Sequence, residues 1–449
     1  MLSAFDYVES HRQQCLDGLM RLLRQPSIST LGLGLDECAE LLRGEMASVG
    51  LTARIIPTAG SPIVFGERRA PGARRTLLLY GHYDVQPVDP LDQWESPPFE
   101  PTIRNGRIYA RGSGDNKGQH FAHLKAIEAV LATAGDLPLN VKVLLDGEEE
   151  KGSPNLAAFV RDHRELLAAD YVYTSDGPYH PSWRPIIRCG VRGILFIELE
   201  VRGPNRDLHS GNWGGNVPNP AWRLVQLLAA MKGPDERVRI PGFYDEVRPA
   251  NALERELVRL IPLDEAQICR DLGLTALSGE MGLSYYERMF FNPTLNINGL
   301  GSGYVGAGSK TIIPSVARAR LDVRLVPDQD PDVIERRIRA FLEREGFGDV
   351  TYRPQHRMWP SKTPADHPFS LAIARAVGAG FGEPPIIYPL SGGSLPDYVF
   401  TRILGLPSLM VPYANPDENN HSPNENLDIA SFFKGIRTTI AVFHEVGCV

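Results

Sequence analysis

The chain has 449 residues, more than a single hydrophobic core usually serves, so two domains are expected. Its composition, 43% hydrophobic and 22% charged, is that of a folded globular protein and excludes a disordered chain. A formal charge of −7 argues against nucleic acid as a partner, because phosphate binding needs a basic surface.

Taken in chain order, Tyr7 to Leu23 read as one amphipathic helix, ended by Pro26. The first residues, MLSAFDYVESHRQQCL, mix charge with apolar side chains and offer no signal-peptide core. No apolar run approaches the roughly 20 residues that span a bilayer. Cys15, Cys38, Cys189, Cys269 and Cys448 are scattered, with no CxxC pair, as free thiols in a reducing compartment would be. A cytoplasmic protein with no membrane partner is expected.

Thr76 to Tyr80 (TLLLY) predicts a short buried strand broken by Gly81, Phe121 to Ala132 a helix, and Val141 to Leu145 and Tyr171 to Thr174 two further strands. Strands alternating with helices imply an open, mostly parallel α/β sheet with helices on both faces. From about Arg188 the pattern changes. Ile194 to Val201 and Arg318 to Leu325 are strands, the second with strict two-residue alternation, as in a sheet with one wet face. Helices follow Pro220 and Asp332. The helix Pro368 to Ala379 and a strand near Pro407 to Val411 read as a return to the first sheet. The expected division is a discontinuous domain of residues 1–188 and 362–449, with an α+β domain of residues 189–361 inserted into it.

Acidic and imidazole groups fall at the ends of three predicted strands: His82 and Asp84 in GHYDVQP, the DGEEE run ending at Glu150, and Asp176 in SDG. In an open α/β sheet the carboxyl ends of the strands form the ligand crevice. Each piece alone has a plain structural reading. His-x-Asp suits a turn, Asp115 in RGSGDNKG suits a helix N-cap, and DGEEEKGS or the loop around His421 suits a solvated surface. Their convergence points elsewhere, because burying several carboxylates together without cations is prohibitively costly. Histidine and carboxylate donors without thiolate suit zinc, manganese or cobalt in a hydrolytic site. Three ligand carboxylates and one hydroxide balance two divalent cations, which such sites hold about 3.5–4 Å apart. Asp84 fits an acceptor that orients a metal-bound His82 ring, and one acid of the DGEEE run remains to act as general base.

The ordered segments GHYDVQP, WESPPFEPTIRNGRIYARGSGDNKG, DGEEEKGS, SDG, DLHSG, KTIIP, RLVP, GGSLP and HSPNE resemble the carnosinase-like dipeptidases. These belong to the wider superfamily of co-catalytic zinc aminoacylases, carboxypeptidases and dipeptidases, peptidase family M20, and the resemblance spans essentially the whole chain. It implies that His82 and Asp176 hold one metal ion and Glu150 and His421 the other, with Asp115 between them and a cis peptide after Asp115. It makes Glu149 the general base; Gly152-Ser153 set the register of the three glutamates. Where the family commonly has Glu, this chain has Asp146.

The resemblance also makes the inserted domain a lid and dimerisation domain. His209 and Thr311 would reach the partner subunit's site in a homodimer, His209 to stabilise the oxyanion, and Arg324, His356 and Ser394 would bind the substrate's C-terminal carboxylate. Without the resemblance, Arg324 reads as a solvent-facing residue of an alternating strand, together with Arg318 and Arg320. The implied activity is hydrolysis of dipeptides or short peptides through a hydroxide shared by two metal ions, zinc in first place. The alternatives are hydrolysis of N-acyl- or N-carbamoyl-amino acids, or a non-catalytic binding protein on the same fold; the latter would be expected to lack a ligand or the base, and all are present.

Overall fold

The computed structural model describes residues 1–449. An eight-stranded sheet runs in the order Thr52–Ile56, Ile63–Arg68, Asn140–Asp146, Thr76–His82, Tyr171–Thr174, Ser408–Met410, Ile186–Arg188, Ile386–Tyr388. The four strands from Asn140–Asp146 to Ser408–Met410 are parallel. An antiparallel hairpin extends one edge. At the other edge a single antiparallel pair, Met410 with Arg188, joins two further parallel strands.

Helices cover both faces because successive strand residues point to opposite sides. Leu77 and Leu79 enter a core of 56 buried residues with the helices Lys117–Ala134 and Ile429–Gly447. Leu78 and Tyr80 enter a second core with Phe159 and Val160 of the helix Leu156–Asp162. The strand runs that look continuously apolar in sequence are therefore buried on both sides.

A four-stranded antiparallel sheet, ordered Thr294–Ser302, Val316–Leu325, Gly193–Arg202, Thr351–Met358, is built from the middle of the chain. Ala317, Ala319, Leu321 and Val323 face the helices Pro220–Met231 and Pro331–Arg344 in a core of its own. Asn219 and Asp330 cap those helices with side-chain oxygens, each with proline in the first turn, where its missing N–H costs nothing. Arg318 and Arg320 lie on the other face and bond Glu200 and Glu198.

The N-terminal helix differs from the single helix expected. It is two helices, Leu2–Ser10 and Arg12–Arg24, broken at His11, whose ring nitrogen lies 2.9 Å from the Tyr7 carbonyl oxygen. The break lets Ala4, Phe5 and Val8 of the first helix and Leu16, Leu19 and Leu23 of the second face the same core. Three short helices that the sequence pattern did not reveal, Ala252–Arg259, Glu265–Leu272 and Tyr285–Phe291, follow the helix Pro220–Met231. Val258, Tyr286 and Phe290 from them pack on Ile186, Ile386 and Leu390 of the large sheet's edge.

Candidate metal centre and its cavity

Adjacent parallel strands bring the acidic motifs together. His82 ends one strand directly beside Asp146, and Asp176 lies two residues beyond Thr174, which pairs with Tyr80. Asn116 links these ends. Its side-chain nitrogen donates to the Ser175 carbonyl at 2.7 Å, and its oxygen accepts the His82 N–H at 3.4 Å. The helix that follows is capped at Asn116, not Asp115, and Asn116's side chain makes no cap hydrogen bond. The Asp115 carboxylate is thus free for other work, and the Asp115–Asn116 peptide is cis.

Two triads meet at Asp115. The donor atoms of His82, Asp115 and Asp176 lie within 4.8 Å of one another, as do those of Asp115, Glu150 and His421. His82 Nε2 is 3.0 Å from one Asp115 oxygen and 3.8 Å from Asp176, and His421 Nε2 is 3.0 Å from the other Asp115 oxygen and 3.2 Å from Glu150. His82 Nε2 is buried and, despite that proximity, makes no hydrogen bond of acceptable angle. Its other ring nitrogen lies 3.1 Å from the Asp84 carbonyl oxygen and 3.4 Å from the Asp84 carboxylate. A ring so held aims Nε2 at the carboxylates of Asp115 and Asp176, as a metal-ligating imidazole is aimed at its ion. The donor set fits a pair of divalent ions sharing Asp115.

Asp84 has a second task that its spacing from His82 did not reveal. Its two oxygens accept the backbone N–H groups of Glu149 and Glu150, each at 3.1 Å. Asp84 therefore steadies both, the His82 ring through its carbonyl oxygen and the turn carrying the two glutamates through its carboxylate. Glu148 points away, pairing with Lys151 and accepting from Ser61 N–H and Asn155. Asp146 accepts the Ser153 hydroxyl at 2.6 Å and stands outside the triads.

Electrostatics show how much negative charge is gathered. Burial, with Asp115 nearby, pushes Asp176 up to about 6. Burial also raises Glu149 well above the usual carboxylate range, although His82 opposes the shift, and it raises Glu150 as well. Against the same penalty, the hydrogen bond with His421 and the neighbouring His82 imidazole hold Asp115 low. His421 is raised to about 10 by its contacts with Asp115 and Glu150. Here imidazolium protons balance part of the charge that dications would balance.

Asp115, Glu149, Glu150, Asp176 and His421 line a cavity of about 500 Å³ together with Arg324 and Ser394. Arg324 departs from the solvent-facing pattern of Arg318 and Arg320: it donates to Ser394 Oγ at 2.9 Å and to Asp322 at 3.1 Å. His356 lies beside the site without lining this cavity. A bulge in its strand turns its ring onto Gly152, where a Cβ would come within 3.0 Å of the ring. Gly152 also has φ +88°, a left-handed conformation that favours glycine. His209 and Thr311 are exposed and lie outside the cavity, on a small ribbon pairing Leu208–His209 with Ile312–Ile313.

Four side chains around the triads were not singled out in the sequence. Gln86 donates to the Glu150 carboxylate at 2.9 Å. Arg188 donates to the carbonyls of Asp176 and Pro178 at 3.1 Å each, clamping the loop that carries Asp176. Glu418 is buried with neither carboxylate oxygen hydrogen-bonded, and Glu425 accepts from the turn leading to Asp115. Glu425 lies within HSPNE and Gln86 within GHYDVQP, whereas Arg188 and Glu418 belong to no motif.

Residues 78–445 match the model of peptidase family M20/M25/M40. The solved structure of an M20 family metallo-carboxypeptidase, Sso-CP2 from Sulfolobus solfataricus, is 36% identical with a TM-score of 0.91, over 97% of this chain and 99% of that one. The rat Beta-Ala-His dipeptidase is 28% identical over 98% of this chain and 94% of its own. The Cys-Gly metallodipeptidase dug1 of Schizosaccharomyces pombe is 28% identical over 99% and 98%.

Proposed function

The chain belongs to peptidase family M20/M25/M40, and from that premise we propose that it is a two-metal dipeptidase releasing an amino acid with a free carboxylate. The observation that carries the reading is the shared cavity: two acid–histidine triads joined at Asp115 open onto the same space as Arg324 and Ser394. His82 and Asp176 would hold one ion and Glu150 and His421 the other, with Asp115 common to both. The donors suit zinc, and equally manganese or cobalt.

Divalent ions held there would supply Lewis acidity toward the scissile carbonyl and acidify a water. Glu149, in the same cavity, takes the proton of the attacking water and hands it to the leaving nitrogen. Arg324 holds the substrate carboxylate with its guanidinium, itself oriented by Asp322 and Ser394, and so fixes which amide lies over the triads. Asp84 keeps the His82 ring and the Glu149–Glu150 turn in place.

The inserted residues 189–361 serve as lid and dimerisation domain. Supporting this, the edge strand Thr294–Ser302 exposes Ile297 and Leu300 next to unpaired backbone. His209, exposed on its ribbon, is free to enter a partner's cavity as an oxyanion donor, with Thr311 beside it. The five free cysteines accord with a cytoplasmic setting. A carboxypeptidase trimming longer peptides is the second reading, favoured by the Sulfolobus relative; Arg324 would serve either.

A panel of dipeptides, longer peptides, N-acetyl- and N-carbamoyl-amino acids, assayed with zinc or manganese, decides among these. The dipeptidase reading expects fastest release from dipeptides, and no turnover of substrates amidated at the C-terminus. Equal rates on longer peptides would support the carboxypeptidase, and faster N-acyl cleavage would overturn both.

A further inference from the structure

Glu425 is fully buried, and four donors converge on its carboxylate. One oxygen accepts the backbone N–H groups of Gly114 and Asp115, each at 3.0 Å. The other accepts Gly112 N–H at 3.0 Å and Arg111 Nη1 at 2.7 Å. Arg111 is itself buried and donates also to the Pro87 carbonyl at 2.9 Å. The main chain is tied too, since Ala110 N–H donates to the Glu425 carbonyl at 3.1 Å. A carboxylate enclosed by backbone donors of one turn fixes the path of that turn, here the turn ending at Asp115. Glu425 also lies four residues after His421, in the same loop.

We infer that Glu425 is a positioning residue for the metal pair, setting Asp115 and His421 relative to each other. This rests on the two-metal reading above. It also predicts an asymmetry. The Glu150–His421 position draws two of its three ligands from segments that Glu425 joins. The His82–Asp176 position draws two of its three from strand ends that Glu425 does not touch. Loosening Glu425 should therefore weaken one ion far more than the other. Glutamine cannot substitute, because each carboxylate oxygen accepts two donors and an amide NH₂ in either orientation would face two of them.

The test is manganese binding to metal-free protein, followed by calorimetry, for wild type, Glu425→Gln and Glu425→Asp. Aspartate keeps the charge but is one methylene too short to reach both Arg111 and the turn. The expected result is one site weakened roughly 10- to 100-fold, as for other residues that orient metal ligands, with the other site within about threefold. Paramagnetic resonance should show the spin-coupled manganese pair replaced by uncoupled ions. Equal weakening of both sites, unchanged binding at both, or failure of both variants to fold would overturn the inference. Wild type that binds fewer than two ions would instead overturn the two-metal reading.

Discussion

Arg324 donates to the Ser394 hydroxyl at 2.9 Å across the boundary between the small sheet and the loop following the strand Ile386–Tyr388. Both residues line the cavity, whose other guanidinium, Arg188, is occupied with backbone carbonyls. A charge-assisted contact to a substrate carboxylate contributes about 1.5–3 kcal/mol. Arg324→Met should therefore lower kcat/KM on dipeptides by roughly 10- to 100-fold, mainly through KM, with metal content unchanged. Steady-state kinetics on one dipeptide and on its C-terminal amide check this; an equal loss on both substrates would count against carboxylate recognition.

Asp84 is completely buried, and both its oxygens accept backbone donors from Glu149 and Glu150. Asparagine must turn an NH₂ toward one of those donors. Asp84→Asn should lower activity about 10- to 100-fold and weaken metal binding to a similar degree. Parallel titrations of metal and turnover measure it, and a variant with wild-type metal affinity and rate would remove Asp84 from the account.

His123 offers a pH prediction far from the ligands. Burial pushes this histidine down to about 3; its ring packs against Tyr173 and Tyr413, and its one hydrogen-bond partner is Thr439 Oγ1 at 3.0 Å. The folded state thus holds it neutral, whereas the unfolded chain protonates it near 6.5. Its folded pKa is depressed, so the unfolded state binds more protons below 6.5 and stability falls with decreasing pH between about 6.5 and 3. Each unit in that window costs about 1.4 kcal/mol. His123→Leu should flatten this part of the acid limb, measured by denaturant unfolding of metal-free protein between pH 7 and pH 5. An unchanged slope would show that the site does not govern it.

If His209 acts across a dimer, chains carrying His209→Ala and Glu149→Gln should complement each other. In a random mixture half the dimers are mixed and one of their two sites is intact, so about a quarter of wild-type turnover is expected. Mixed dimers that form and remain inactive would place His209 outside the reaction.

Much of this was legible in the sequence because the signals are local. TLLLY, VKVLL and YVYT are short apolar runs, each followed within a few residues by His82, the Glu149–Glu150 turn or Asp176, and the parallel register aligns those ends. Other features depend on contacts that a linear reading does not contain. Glu425 meets Asp115 across 310 residues, and Gln86 meets Glu150 across 64. Arg188 sits on a strand of only three residues, too short to show a period. The hairpin Thr52–Ile56 with Ile63–Arg68 escaped notice because its outer strand is partly exposed on both faces, and its burial does not alternate cleanly. His11 broke an otherwise periodic helix through a ring-to-carbonyl contact that the apolar pattern does not carry.

The sharing of Asp115 by two metal ions is tested by counting ions in wild type and in Asp115→Asn after metal loading and desalting. Two ions per wild-type chain, no more than one tightly bound ion in the variant, and hydrolysis reduced at least a thousandfold, about 4 kcal/mol, are expected. Two ions held by Asp115→Asn with wild-type affinity, or wild-type turnover with one ion or none, would contradict it.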